Sequence, residues 1–375
     1  MTEKDLGTDT DASSLELDVE KQDQEGGVRA WSTVLGSSLI YFSTFGIINS
    51  FGFFQELYHS TYLPNTSPST ISFIGTIQIL LMNLLAAPAG SLFDCYGFKW
   101  LYIASGIGTI GALLLLSLTP LTTLWQPLLI QGVLLGLAIA FGAQPALVIV
   151  GQHFFRRRAL AMGIIKRLVD FNGFRDLRYT VLAVGAFITM LGMFVPYYYI
   201  TTYITHTAPR SSLKPALLPT MNAASILGRI LGGLTADLTG PTNLTYPLTL
   251  LSGLQCLTLW LPSTLAPSST GGILITFSSL YGFCSGVFVA VLPVCVAQIT
   301  PEEKMGGRVG AFYSFLSVAQ LVGSPIAGGL ISDGGQEGEK GYEGLIGFAG
   351  STLLAGGFVI MGSRWLHDRN MRKKF

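Results

Sequence analysis

Arg229 is the residue best equipped for chemistry, because it stands inside an otherwise apolar stretch. A guanidinium presents a planar fork of N–H donors that fits a carboxylate through two parallel hydrogen bonds. Near the centre of a membrane-crossing helix an Arg costs roughly 2.5–3.5 kcal/mol, so it normally faces a partner or a watery cavity. Asp237 follows eight positions later, which sets Arg229 ~12 Å inside the helix end at 1.5 Å rise per residue. Two readings compete: a group that binds a carboxylate, or a structural Arg that snorkels toward Asp237.

Other polar residues in apolar stretches are weaker candidates. Asn49 could hydrogen-bond a ligand, or pack and bond between helices. Gln144 precedes Pro145, and a Pro inside a span can expose carbonyls to a cavity. Tyr281, Ser285 and Gln298 share one later stretch. Tyr197, Tyr198, Tyr199 and Tyr203 close another, where an interfacial aromatic belt explains them as well as ligand stacking does. No nucleophile–base constellation is present, so no catalytic residue is expected. His59, His153, His206 and His367 lack metal-ligand spacing, and Cys95, Cys256, Cys284 and Cys295 form no Cys-x-x-Cys pair. Gly106-Ile-Gly108-Thr-Ile-Gly111 spells a dinucleotide fingerprint, but no strand precedes it and close helix packing explains it better. No cofactor is implied.

The elements that carry these residues follow from composition. Half of the residues are hydrophobic and 11% are charged, against roughly 25% charged in a soluble domain. Nine of the 21 acidic residues fall in the first 25 positions, leaving the rest poorer still. Ten apolar runs, at about 32–55, 71–93, 100–119, 127–151, 180–204, 215–236, 245–261, 272–299, 309–331 and 344–366, approach or exceed the ~20 residues a spanning helix needs. Irregular backbone cannot face lipid, so the fold class is all-α and the chain a polytopic membrane protein. The net charge of +1 gives no footprint for nucleic acid. The implied partners are the lipid bilayer and a small molecule.

Orientation follows from Lys and Arg. With a cytosolic N-terminus, cytosolic segments hold 18 of the 22 basic residues, and the other side holds Arg210, Lys214 and Lys340. That asymmetry places both termini in the cytosol. Asn65, in Asn65-Thr-Ser67, is then an outward-facing glycan acceptor, and Asn243, in Asn243-Leu-Thr245, faces the cytosol.

One pattern, Gly-x-x-x-Asp-x-x-Gly, occurs twice: at Gly90, Asp94 and Gly97, with Lys99 beside it, and at Gly233, Asp237 and Gly240. Each copy ends an apolar run and opens a polar turn. Repeats of this kind mark membrane proteins built from related halves. The chain here resembles the major facilitator superfamily, where this loop joins helices 2 and 3, recurs between helices 8 and 9, and helps latch the cytosolic gate. The usual basic residue after Asp is Cys95 in the first copy, and the second copy ends Gly240-Pro-Thr-Asn without basic residues.

Glu25-Gly-Gly-Val-Arg-Ala-Trp31 and Phe154-Phe-Arg-Arg-Arg-Ala-Leu-Ala-Met-Gly163 resemble the two signatures of the monocarboxylate porter family. Tyr41-Phe-Ser-Thr-Phe-Gly-Ile-Ile-Asn-Ser50 and Tyr281-Gly-Phe-Cys-Ser-Gly286 point to its fungal branch. The resemblance implies a secondary transporter for an organic anion or carboxylated metabolite, in the plasma membrane, with efflux of a secondary metabolite among its fungal roles. It also implies a substrate-binding role for Arg229, within a pattern matching Asn222-Ala-Ala-Ser-Ile-Leu-Gly-Arg229, and for Asn222 in that pattern. The animal porters carry an Asp at the position of Ser225 and a Lys at that of Asn49. Both are tied to proton coupling, so the resemblance leaves coupling open and argues against proton–lactate symport.

The resemblance breaks once. After Ile165 the chain passes directly to Lys166-Arg-Leu-Val-Asp-Phe-Asn-Gly-Phe-Arg-Asp176, which resembles the linker before the family's seventh helix. Helices 5 and 6 are therefore expected to be absent. That leaves an acidic disordered tail (1–31), a four-span bundle (32–165), a linker (166–179), a six-span bundle (180–366) and a basic tail (367–375), with about ten helices instead of twelve. Either the sequence lacks a coding segment of a twelve-helix transporter, or it is a truncated relic or scaffold that does not transport.

Overall fold

A computed structural model describes residues 28–143, apart from 87, 90, 91 and 93–95, and residues 171–367, apart from 209–210, 265–269, 302–303 and 334–339. Gly90, Asp94, Cys95, Gln144, His153, the acidic tail, the 154–163 signature, the basic tail beyond His367 and the Ile165–Lys166 junction lie outside the described residues.

The helices follow the apolar runs. In chain order they are α1 (Leu35–Tyr62, its helix beginning at Val28), α2 (Pro68–Leu84), α3 (Phe98–Leu118), α4 (Trp125–Ala143) and α5 (Leu177–Thr207). After them come α6 (Lys214–Thr239), α7 (Pro241–Thr264), α8 (Thr270–Gln298), α9 (Met305–Gly329) and α10 (Glu343–His367). Among the described residues, eight helices are long and apolar enough to cross a membrane. The exceptions have local causes. The unbroken part of α2 is short, and α6 carries Lys214, Arg229 and Asp237 among its apolar residues. The one departure from all-helical structure among the described residues is a small hairpin, in which Ser332–Asp333 pairs antiparallel with Lys340–Gly341.

Local chemistry sets the ends. Ser67 caps α2, its hydroxyl accepting from the Thr70 amide at 3.2 Å, and Pro68 occupies the first turn, where an N–H would have no helical partner. Asp176 caps α5 in the same way through the Arg178 amide at 3.0 Å. Gly97 and Gly240 end the two copies of the repeated motif. They sit at φ +75° and +96°, the positive-φ glycines among the described residues, in conformations that essentially only glycine adopts. The last glycine of each copy thus has a similar backbone conformation.

The end of the bundle that holds Val28 and His367 is the near end; the other is the distal end. The helix groups α1–α4 and α5–α10 meet along a seam running from the distal end to mid-span. Gly52 of α1 packs against the Tyr197 carbonyl of α5, with the Phe51 and Tyr198 rings 4.8 Å apart beside it. Ser69 of α2 donates to the Pro325 carbonyl of α9 at 2.6 Å. Deeper in, the Asn83 amide donates to Gln320 at 2.7 Å, buried on both sides. Tyr197, Tyr198, Tyr199 and Tyr203 are all at most 3% exposed. The interfacial-belt reading of this run is therefore corrected, because a belt would present these rings to lipid: Tyr198 and Tyr199 face the seam, the Tyr197 ring packs on Tyr281, and Trp260 and Tyr342 cover Tyr203.

Candidate functional site

Two glycine pairs at four-residue spacing lock α6 to α8. Gly228 packs on the Phe283 carbonyl and Gly232 lies 2.9 Å, at its would-be β-carbon, from the Val287 methyls. In return Gly282 packs on the Met221 carbonyl and Gly286 on that of Ser225. Small residues at this spacing let membrane helices approach backbone to backbone. The crossing leaves Arg229, the neighbour of Gly228, at the edge of the packed stripe and turned toward the seam.

Four helices contribute to the pocket there: Phe45 and Asn49 from α1, Met193, Phe194 and Tyr197 from α5, Ser225 and Arg229 from α6, and Ser285 and Val289 from α8. Its cavity volume is about 10 Å³, room for about one water molecule. Two of these helices break beside it. In α1 the chain turns at Ser50, whose hydroxyl caps back to the Gly46 carbonyl at 2.6 Å. In α5 it turns at Phe194, two residues before Pro196. In α8, Pro293 has no N–H to give the carbonyl of Val289, its partner one turn back. Broken helices facing an internal cavity are where membrane proteins tolerate such backbone.

The Arg229 guanidinium lies over the Phe45 ring, 4.5 Å from its centroid, and Phe45 stacks on Tyr41 at 5.4 Å. A cation in this position gains ~0.5–2 kcal/mol from the ring face. Its Nε is buried without a hydrogen-bond partner, and no carboxylate pairs with it among the described residues. The side chain thus crosses the seam toward α1 rather than running along α6 to Asp237. Tyr197 and Ser285 lie 2.9 Å apart; Ser285 also donates to the Gly282 carbonyl, so Tyr197 donates to Ser285.

Asn49, 6% exposed, lines the pocket opposite Arg229. Asn222 lies two turns from Arg229 on α6, outside the lining, with its Oδ1 buried and unpartnered. Tyr281 is fully buried and is not part of the lining: its hydroxyl donates to the Met193 carbonyl at 2.8 Å and its ring backs Tyr197. Lys99 and Asp237 are exposed near the motif turns, and Gly233 has open space around it. Asn65 is exposed in the α1–α2 loop at the distal end. Asn243 lies at the near end, where its Oδ1 accepts from Arg364 Nε at 2.6 Å.

Sequence reasoning passed over Phe45, Met193, Phe194 and Val289, which look like ordinary apolar span residues. It also passed over Glu56, which falls just past the first apolar run. Cys256, Cys284 and Cys295 are buried free thiols, as packing residues would be. No cluster of metal-ligating side chains occurs among the described residues.

The Major Facilitator Superfamily profile matches residues 33–166 and 180–374. The chain is similar to the MFS-type transporter pynF of Aspergillus niger, 32% identical over 368 residues, covering 82% of this chain and 83% of the relative. It is likewise similar to the agnestins efflux protein AgnL12 of Paecilomyces divaricatus, at 31% identity and 81% of each chain. Among solved structures, the nucleoside transporter NupG superposes with a TM-score of 0.62 at 12% identity, covering 88% of this chain and 99% of that one. That likeness is one of fold.

Proposed function

Because the chain belongs to the major facilitator superfamily, a family of multi-pass membrane transporters and not of enzymes, we propose that it moves an organic anion or carboxylated metabolite held by Arg229 between its two helix groups. One observation carries this reading. The guanidinium crosses the seam to Phe45 with a buried, unpartnered Nε and no carboxylate beside it among the described residues, so an arriving acid group is its natural counter-ion. Hydroxyls of Tyr197, Ser225 and Ser285 and the Asn49 amide supply neutral hydrogen bonds, and Phe45, Phe194, Met193 and Val289 supply apolar wall. Such a lining suits a largely apolar molecule with one acidic group.

The monocarboxylate-porter reading is supported by the place of the two departures from that family. Ser225 and Asn49 both line the pocket, where an Asp and a Lys would bring titratable groups. With neither present, the substrate differs from a small proton-coupled monocarboxylate. Export as the direction is supported by the relative named for agnestins efflux. The Lys and Arg asymmetry supports cytosolic termini and, with the resemblance, a plasma-membrane location. In Arg229→Lys the charge persists without the planar fork, so transport falls by at least roughly tenfold at unchanged membrane abundance, the loss of ~1.4 kcal/mol or more. Full activity in that variant removes the anion-binding role.

The missing helices are part of the same reading. The alignment with pynF runs over 368 positions, whereas 82% of this 375-residue chain is about 308 residues. About 60 aligned positions thus face a gap, the length of two ~20-residue spans and their connections. Exposed apolar residues on α6 (Ile226, Leu227, Ile230 and Leu234) and on α1 (Leu35, Leu39 and Phe42) lie on helices that border the seam. They support an unfilled place there for the helix that meets the opposite group. Sequencing the transcript across the codons of Ile165 and Lys166 tests this: an additional coding segment is expected, and a continuous message without one favours a ten-helix relic.

A further inference from the structure

Titratable groups from both helix groups converge at the distal end of the seam, away from Arg229. His59 lies in the π-helical last turn of α1 and His206 in the last turn of α5. Their rings meet edge to face, 6.1 Å between centroids. The Tyr342 ring, just before α10, lies 6.3 Å from that of His206 and 5.3 Å from that of Tyr203. Glu56, one turn before His59, is only 7% exposed; its Oε2 is buried without a hydrogen-bond partner, within electrostatic reach of Tyr342. Glu343, exposed at the start of α10, acts on Tyr203.

We propose that His59, His206 and Glu56 form a proton-binding site whose occupation opens the distal end of the seam. Imidazole is the side chain that changes charge between about pH 5 and 8. Neutral, the two rings pack against each other and hold α1 to α5. A first proton on His59 lies one helical turn from Glu56. A second places like charges on opposite sides of the seam, on a half-buried His59 and an exposed His206 whose rings lie 6.1 Å apart, a repulsion that solvent and salt screen in part. Tyr203 and Tyr342 add no charge in this range, and Glu343 is exposed to solvent. In the orientation proposed above, this end faces outside, so external acid would favour the outward-open form independently of which molecule is carried.

The test is a distance measurement between spin labels on cysteines introduced at Thr61 and Ser212, both exposed at the distal end of opposite helix groups. The purified full chain, with its four native cysteines replaced by alanine, is measured in lipid nanodiscs from about pH 8 to about pH 5. A longer-distance population is expected to grow as pH falls, with a midpoint within about one unit of ~6.5. The double substitution His59→Gln and His206→Gln is expected to abolish the change. Glu56→Gln is expected to move the midpoint to lower pH, because the carboxylate no longer favours the imidazolium. An unchanged distance distribution in the unsubstituted site, or a wild-type response in the double variant, overturns the proposal. An unmoved midpoint in Glu56→Gln removes Glu56 from it.

Discussion

Gly286 of α8 rests on the backbone carbonyl of Ser225 in α6, with no room for a β-carbon between them. The contact fixes where the α6 backbone runs past α8, and hence where Arg229, one turn beyond Ser225, projects. A side chain at Gly286 must push the helices apart. We expect Gly286→Val to cost about 1–3 kcal/mol, the usual range for overpacking, and to lower the thermal midpoint of the purified protein. Gly233→Ala, with nothing near its would-be β-carbon, is the control and is expected to be at least as stable as wild type. Equal stability of both variants would contradict the close crossing.

The motif turns make a separate prediction. Gly97 and Gly240 have positive φ with extended ψ, a region that Asn also avoids. Gly240→Ala and Gly240→Asn are both expected to destabilise by about 1–3 kcal/mol. Rescue by Asn would mean that the turn is an ordinary left-handed one.

Phe45 lends its ring face to Arg229 across the seam. Phe45→Leu keeps the apolar wall and removes the quadrupole. The expected loss of ~0.5–1 kcal/mol appears as a roughly two- to fivefold weaker apparent affinity for the transported anion. No change would place the guanidinium elsewhere in the working protein.

Asn65 and Asn243 test orientation. In cells, deglycosylation is expected to shift the wild-type band and leave that of Asn65→Gln unmoved, while Asn243→Gln behaves as wild type. Asn243 is also held by Arg364 at the near end. Glycan on Asn243 would invert the topology.

Much of the architecture is legible in the sequence because a bilayer leaves few choices: a run of ~20 apolar residues must be helical. Gly97 and Gly240 are equally legible, since turns with positive φ demand glycine. Arg229 stood out because burying a charge there is costly. What lies on opposite sides of a seam was not legible. The tyrosines from Tyr197 to Tyr203 have the composition of a lipid-facing belt, and only the packing of distant helices shows that they are enclosed: Phe51 of α1 against Tyr198, Tyr281 of α8 against Tyr197, and Trp260 and Tyr342 against Tyr203. His59 and His206 meet only because two distant helix ends do. The glycine spacing at Gly228 and Gly232, and at Gly282 and Gly286, was a signal available in the sequence that pointed to the α6–α8 crossing.

The central claim is that Arg229 holds the acid group of an exported metabolite. Its most direct test is metabolite profiling, inside and outside the cells, of a deletion strain complemented with genomic wild-type or Arg229→Lys copies at matched membrane abundance. An acidic metabolite is expected to be retained in the deletion strain, to return to the medium with the wild-type copy, and to stay inside with Arg229→Lys. Equal restoration by both copies, or an unaltered profile on deletion, would contradict it.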